Sequence, residues 1–412
     1  MNDIAVNKIR REFAFLKEEN IDKVGKKIIY LDSAATAQKP DIVIDSITDY
    51  YKYSNSNPGR SAHFLGIKAS EELENSRKII AKYLNSDIDE IIFTRSATDG
   101  INIIAGTWGI DNLNEGDEII TTIIEHHANF VPWQELSKKN NIKINIVDID
   151  QDNNLKIDEI YSHLNENTKL VAITAASNVT AEILNLKEII AKIKEFNENI
   201  KVMVDATQLL TFRKVDVKEI NCDFLVFSGH KIYGPMGIGV LFAKKEILKD
   251  MKPYQYGGSM VEYVYIDNTS YRDIPTKFEA GTLNVGGAVG LKTAIEWIEN
   301  IGIDNIQKHE KELLEYTIEK IKDIKNIKLI HSTKDTSALL SFVFLDIHAH
   351  DIASILDSFG IAIRAGHHCA MPIHTRLNIS ASARVSFGIF NTKKEIDYFA
   401  EKLLEARSIM GK

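Results

Sequence analysis

Seven short apolar runs, EIIFT, DEIITTII, KINIVDI, KLVAITA, KVMVDA, DFLVF and IGVLFA, follow one another between about residues 30 and 245. Nothing else in the chain limits its fold so strongly. Each run has strand length, and most are separated by a segment whose apolar residues recur three and four apart, as in LKEIIAKIKEFNEN. Runs that do not alternate with polar residues suit strands buried on both faces, and successive parallel strands need a crossover of helical length. The pattern predicts an α/β unit with a mostly parallel seven-stranded sheet flanked by helices. The helices expected around it include DIVIDSITDYYKY, KASEELENSRKIIAKYL and GINIIAGTWGI.

The C-terminal part changes character. After GTLNVGGAVG a long helical stretch begins (LKTAIEWIENIG, then NIQKHEKELLEYTIEKIKDI). Strands LLSFVFL, IAIRAG and ARVSFGIF then alternate with helices HDIASILDSF and KKEIDYFAEKLLEARSIM. This predicts a smaller α+β domain. A chain of 412 residues exceeds the roughly 250 to 300 that one core usually serves. The expected division is a large domain over 30–295, and a small one built from 1–29 and 296–412.

Charge narrows the function. The 50 basic and 58 acidic residues are interspersed, for a net charge of −8, with no basic block of the kind that tracks nucleic acid. The first residues lack an apolar signal core, and no segment reaches about 18 uninterrupted apolar residues, so no membrane span is expected and the expected location is the cytoplasm. The only cysteines, Cys222 and Cys369, are too few for a disulfide framework and lack the spacing of a metal site, so no metal is expected. Cys222, in INCDFLVF, reads as core; Cys369, in RAGHHCAMP, follows a glycine and two histidines.

Polar residues just after strands are the place to look for a site, because open α/β sheets bind ligands there. Asp205 ends the KVMV run, where a carboxylate needs a cation or donor as partner. A protonated pyridine nitrogen of pyridoxal phosphate is one candidate; a helix cap is the other. Lys231, in FSGHKIYGPMGIG, is a lysine in a glycine-rich turn at a strand end. It is either a solvated surface charge or the amine that bonds such a cofactor's aldehyde. FTRSATDGIN follows a strand and opens a helix, offering backbone N–H groups and the hydroxyls of Ser96 and Thr98 to a phosphate. In EHHANFVPW, His126 and His127 follow a strand, where a histidine can lie against a cofactor ring or serve the fold alone.

Taken together, YLDSAATAQKP, FTRSATDGIN, EHHANFVPWQ, SNV, VDATQ, CDFLVFSGHKIYGPMGIGVLFAKK, GGSM, FEAGT and RAGHHCAMP resemble, in order and spacing, a class II (SufS-like) cysteine desulfurase. The resemblance spans about residues 10 to 405 and implies a fold-type I pyridoxal-phosphate enzyme that works as a homodimer. It implies that Lys231 bonds the cofactor, Asp205 pairs with its ring nitrogen, Gln208 reaches its phenolic oxygen, and His126 stacks on the ring and moves protons. Ala97, Thr98, Ser228 and His230 would hold the phosphate, with Thr282 reaching in from the second subunit. Asn178 and Arg384 would grip the carboxylate of L-cysteine, and Arg364, Arg60 and His63 would complete the substrate site.

Cys369 would attack the substrate sulfur as a thiolate, with Arg364, His367 and His368 as the positive groups beside it. Alanine would leave and a persulfide would remain, to be passed to a SufU-like or SufE-like acceptor and on to an iron–sulfur scaffold. His350, in HAHD, resembles the histidine of members that serve the zinc protein SufU. Two other readings stand beside this one: a selenocysteine lyase or other Cβ lyase of the same fold, and a noncatalytic binding subunit. The chain departs from the family's usual RGTTE and VDGAQ at Ser96, Ala97, Ala206 and Thr207. It departs from the usual NVHRGVH at Gly59 and Ser61, and it lacks the glycine after SNV. These changes are expected to tune the site without abolishing it.

Overall fold

The computed structural model describes residues 3–59 and 62–411. All seven expected runs form one sheet: β1 Ile91–Thr94, β2 Glu118–Thr122, β3 Lys143–Val147, β4 Thr168–Thr174, β5 Lys201–Asp205, β6 Phe224–Ser228 and β7 Gly239–Ala243. Their order across the sheet is β1-β7-β6-β5-β4-β2-β3. Only β7 runs against the rest, antiparallel to both β1 and β6. Successive residues explain the unbroken apolar runs. On β6, Phe224 and Val226 enter one buried cluster while Leu225 and Phe227 enter the other. Cys222, expected as core, is fully buried in the second of these layers.

Helices cover both faces. On one side lie α1 Asp41–Tyr53, α2 Phe64–Leu84 and α4 Val285–Ile301, and on the other lies α3 Ala97–Ile104, which continues into a wide π turn at Ala105–Gly109. α4 begins inside the glycine-marked segment, earlier than expected, because its glycines are packing positions. A methyl group on Gly290 would sit 2.7 Å from the Ile47 side chain, and one on Gly286 would sit 2.9 Å from the Tyr51 ring. Residue 295, expected as a domain boundary, falls within this helix.

The C-terminal part folds as an antiparallel sheet of β8 Ile327–Ile330, β9 Leu339–Phe344, β10 Arg364–Gly366 and β11 Ser382–Ser386, in the order β8-β9-β11-β10. The expected strand IAIRAG divides in two: Ile361–Ala362 pairs with Ile29–Tyr30, and β10 pairs with β11. The N-terminal segment closes on this part through Phe13, whose ring meets those of Tyr233, Trp297 and Phe390. The ends of β1, β4, β5 and β6 thereby face β11 and the turn after β10, with a cavity between them.

Candidate active site

β6 ends at Ser228 and the chain turns through one 3-10 turn, Gly229–Lys231. The turn is tight enough to need glycine, since a methyl on Gly229 would meet Ile238 at 2.8 Å. The peptide bond leading into Lys231 is held with unusual redundancy. The carbonyl of His230 accepts from the Ala37 N–H at 3.0 Å, the Thr36 hydroxyl at 3.2 Å and the Lys39 ammonium at 3.2 Å. Lys231 itself lines the cavity. Burial, with the positive charge of Arg384 behind it, brings its pKa down to about 8, against the pull of Asp205.

Asp205 closes β5 and is almost wholly buried. Its Oδ1 accepts from the Thr207 N–H at 3.0 Å. Burial raises its pKa, opposed by Thr207 and by the charge of Lys231. Gln208 donates from Nε2 to the Ala34 carbonyl at 3.0 Å. His126 begins the turn after β2, where its Nδ1 accepts from the Ala128 N–H at 3.1 Å. Burial and the charge of Lys231 hold its pKa down at about 3, so at neutral pH the ring is uncharged with its proton on Nε2.

The start of α3 forms the far wall. The Ala97 N–H donates to the Ser228 hydroxyl at 2.9 Å, and the Ser96 hydroxyl caps the helix by accepting from the Asp99 N–H at 3.3 Å. Ser96, which departs from the family pattern, thus serves the helix end. A methyl on Gly239 would lie 2.6 Å from the Cα of Ser96, so this glycine is what lets β7 and the helix start approach. Thr98 and His230 complete this wall. The His230 ring is driven toward a pKa of about 4 by burial and by Lys231 and Lys39.

From the other side comes Arg384 on β11. Its Nη1 donates to the Asn178 carbonyl at 3.0 Å, and its Nη2 reaches Asp32 Oδ1 at 3.4 Å. Burial lowers even this guanidinium's pKa to about 10. The Asn178 amide donates to the His368 carbonyl at 2.7 Å. Cys369 is exposed, at the end of a turn in which both it and His368 adopt left-handed backbone (φ 56° and 51°). That conformation costs a non-glycine residue energy, and such strain clusters at functional sites. Arg364, opposite Arg384 in the β10–β11 pair, lines the same cavity.

Most of the residues expected at the site therefore meet in one cavity: Ala97, Thr98, His126, Asn178, Asp205, Gln208, Ser228, His230, Lys231, Arg364, Cys369 and Arg384 all line it. Three do not. Thr282 is exposed. His63 is exposed and caps α2, its Nδ1 accepting from the Gly66 N–H at 3.2 Å. Arg60, like Ser61, lies outside the described residues. One expected role is corrected: burial, with Arg384 close by, drives the pKa of His368 down to about 2, so it is neutral and brings no positive charge to Cys369.

Sequence reasoning passed over Lys39, Asp32 and Glu125. Lys39 is largely buried without a carboxylate partner among the described residues, and burial lowers its pKa to about 8. Glu125 accepts from Thr122, Asn129 and the Thr174 N–H at 2.7, 2.7 and 2.8 Å, which pins the His126 turn to β4. A charged residue inside an otherwise apolar or small-residue motif was the signal available for all three.

Residues 29–399 match the family model described as aminotransferase class-V. Two similar proteins, each named a probable cysteine desulfurase, are those of Halalkalibacterium halodurans (41% identical over 406 residues) and Staphylococcus aureus (43% over 408), with 98% of both chains covered in each case. Among solved structures, the cysteine desulfurase CsdA from Escherichia coli superposes with a TM-score of 0.89 and an apo cysteine desulfurase from Thermococcus onnurineus with 0.91, each at 32% identity and 98% coverage of both chains. The chain belongs to the aminotransferase class-V family, in its cysteine desulfurase group.

Proposed function

We propose that this chain binds pyridoxal 5'-phosphate and converts L-cysteine to L-alanine, keeping the sulfur on Cys369 as a persulfide. The observation that carries this reading is the convergence of Lys231, Asp205, His126, Arg384 and Cys369 on one cavity.

The residues present fit the cofactor. Asp205 is a buried carboxylate whose nearest positive influence is Lys231, as expected of a group meant to meet a pyridinium. His230 Nδ1, Asn178 Oδ1 and Arg384 Nε are buried with no hydrogen-bond partner among the described residues, a costly arrangement unless a bound molecule completes it. The start of α3, with Ser228, His230 and Thr98, offers the donors a phosphate needs. When bound, the cofactor supplies the electron sink that labilises bonds at the substrate's Cα and Cβ.

The chain's own residues do the rest. Arg384 and Asn178 hold the substrate carboxylate. With a pKa near 8, Lys231 holds or releases a proton at Cα near neutral pH. His126 presents an Nε2–H as donor. The Cys369 thiolate forms a bond to the substrate sulfur as the Cβ–S bond breaks. The electron pair of that broken bond stays with carbon, which takes a proton and leaves as alanine.

The wider reading is a cytoplasmic homodimer that supplies sulfur for iron–sulfur cluster assembly, with Thr282 entering the second subunit's site. Support comes from the anchoring of the FEAGT segment: Glu279 pairs with Arg77 at 2.8 Å and accepts from the Phe93 N–H at 2.8 Å, leaving Thr282 outward. His350 supports a SufU-like acceptor. It is exposed, stacked on His348, and its Nε2 comes within 4.0 Å of where a side chain on Gly366 would begin, three residues before Cys369. No helix among the described residues is long and apolar enough to cross a membrane.

The test is alanine and sulfide release from L-cysteine with a thiol reductant, run beside selenocysteine. Wild type should turn over L-cysteine, while Cys369→Ala should bind the cofactor and release no sulfide. Wild type inert toward L-cysteine, or full cysteine activity in Cys369→Ala, would overturn the reading.

A further inference from the structure

The residues on either side of Cys369 are fastened to one hydroxyl, the first directly and the second through a histidine. β10 ends at Gly366, opposite Ser382 on β11. The chain then turns through residues 367–370 and opens a short helix, Met371–Arg376. That path brings two side chains back to Ser382: His368 Nε2 and His374 Nε2 each lie 2.9 Å from its Oγ. His374 also holds the far end of the turn, its Nδ1 2.9 Å from the Ala370 carbonyl. Ser382, His368 and His374 are all buried.

The proton positions follow. The Ala370 carbonyl can only accept, so His374 carries its proton on Nδ1. Burial keeps His374 neutral, which leaves a lone pair on Nε2, and the single Ser382 proton goes there. The Ser382 oxygen then accepts from His368 Nε2, and burial keeps that ring neutral as well. Each of these bonds has one donor and one acceptor.

What they hold is a strained turn. His368 and Cys369 both have left-handed backbone, φ 51° and 56°, a conformation that persists in such residues only where the surroundings enforce it. The Asn178 amide on the His368 carbonyl and the His127 N–H on the Cys369 carbonyl restrain the same turn. Ser382 adds a tie to one particular strand. It stands two residues from Arg384 on β11, and alternate residues of a strand face the same way.

We propose that Ser382 is a positioning residue for Cys369: by holding His368 on one side of the thiol and, through His374, Ala370 on the other, its hydroxyl fixes the thiol's place relative to Arg384. The proposal rests on the reading that Cys369 takes the substrate sulfur while Arg384 holds the carboxylate. A single strand then sets both points between which the substrate must reach.

The test uses the cofactor-loaded protein and two variants. Ser382→Ala removes the shared hydroxyl. His374→Asn keeps a donor for the Ala370 carbonyl and breaks only the bond to Ser382. In a hydrogen-exchange arm, the amides of Ala370 and Met371, both hydrogen-bonded around the turn, should exchange faster in both variants, about tenfold in Ser382→Ala. Amides of β4 and β5 should be unchanged. Unaltered exchange in the turn, or a rise across the whole chain, overturns the proposal whatever the enzyme's substrate. In a single-turnover arm with L-cysteine, persulfide formation on Cys369 should slow about tenfold in Ser382→Ala, while the absorbance change on adding L-cysteine keeps its rate. His374→Asn should slow the same step, and the double variant should be no slower than Ser382→Ala, because both changes act on one hydroxyl. Losses that multiply in the double variant, or a wild-type persulfide rate in Ser382→Ala, overturn it. If wild type forms no persulfide the proposed function fails, and the exchange arm still decides the role of Ser382.

Discussion

The backbone N–H of His127 donates to the Cys369 carbonyl at 2.6 Å, so the turn that carries His126 and the turn that carries the exposed thiol are fastened to each other. The His127 ring adds a second fastening, its Nε2 accepting from the Met371 N–H at 2.9 Å. His127→Ala removes only the second. Formation of the persulfide on Cys369, followed in a single turnover, should slow about five- to tenfold, the worth of roughly one neutral hydrogen bond. Cofactor affinity should be unchanged, and an equal loss in cofactor binding would show that the ring supports the fold at large.

Lys231 makes a prediction in pH. An amine bonds an aldehyde only when neutral, and a pKa near 8 leaves about a quarter of it neutral at pH 7.5, against about a thousandth at 10.5. The rate at which the apoprotein takes up pyridoxal phosphate, read as borohydride-trapped product, should climb between pH 7 and 9 and level off above. A climb that only begins near pH 10 would mean that Lys231 is not buried in this way.

The buried carboxylate of Asp205 opposes folding until a cation meets it. Its folded pKa lies above 3.8, so the cost is absent below 3.8 and grows as the pH rises through the folded value. In apoprotein at pH 7, Asp205→Asn should raise Tm by roughly 3 °C, the shift that about 1 kcal/mol brings in a large domain. The gain should shrink as the pH is lowered. With pyridoxal phosphate bound the sign should invert, wild type becoming the more stable. Differential scanning calorimetry on both forms checks it, and the same sign in both would sink the pairing of Asp205 with the cofactor.

Gly239→Ala pushes a methyl into the Ser96 backbone, 2.6 Å from its Cα. Neither strand nor helix start can yield cheaply, and overpacking of this kind costs about 1–3 kcal/mol. Denaturant unfolding should show that loss together with a weakened hold on the phosphate end of the cofactor. A variant with wild-type affinity would place the phosphate elsewhere.

The seven strands were legible because each is buried on both faces, which makes its run continuous, and the lysine turn was legible because it follows such a run. The start of α4 was misplaced because Gly286 and Gly290 read as a turn when taken in order, and become helix packing only once Tyr51 and Ile47 lie against them. Lys39 lies within YLDSAATAQKP, where nothing in the sequence marks its role. Besides Thr36 and Ala37, it donates to the carbonyl of a residue 191 positions away, and no local pattern encodes that last contact. His368 looked like a cation because its neighbours in sequence are polar; its burial, with Arg384 and His374 close by, makes it neutral. Charge state depends on burial, which periodicity reports for an element but not for one side chain in a loop.

The reversed direction of β7 has a consequence of its own. Ser228 and Gly239 are opposite one another in the β6–β7 register, so everything between them, the lysine included, is a loop whose two ends share a single rung. Adding or deleting one residue there cannot be absorbed by sliding the strand, because a slip of one position turns every β7 side chain to the wrong face. Any change in its residue count therefore falls on the loop itself, and so on the position of the lysine it carries.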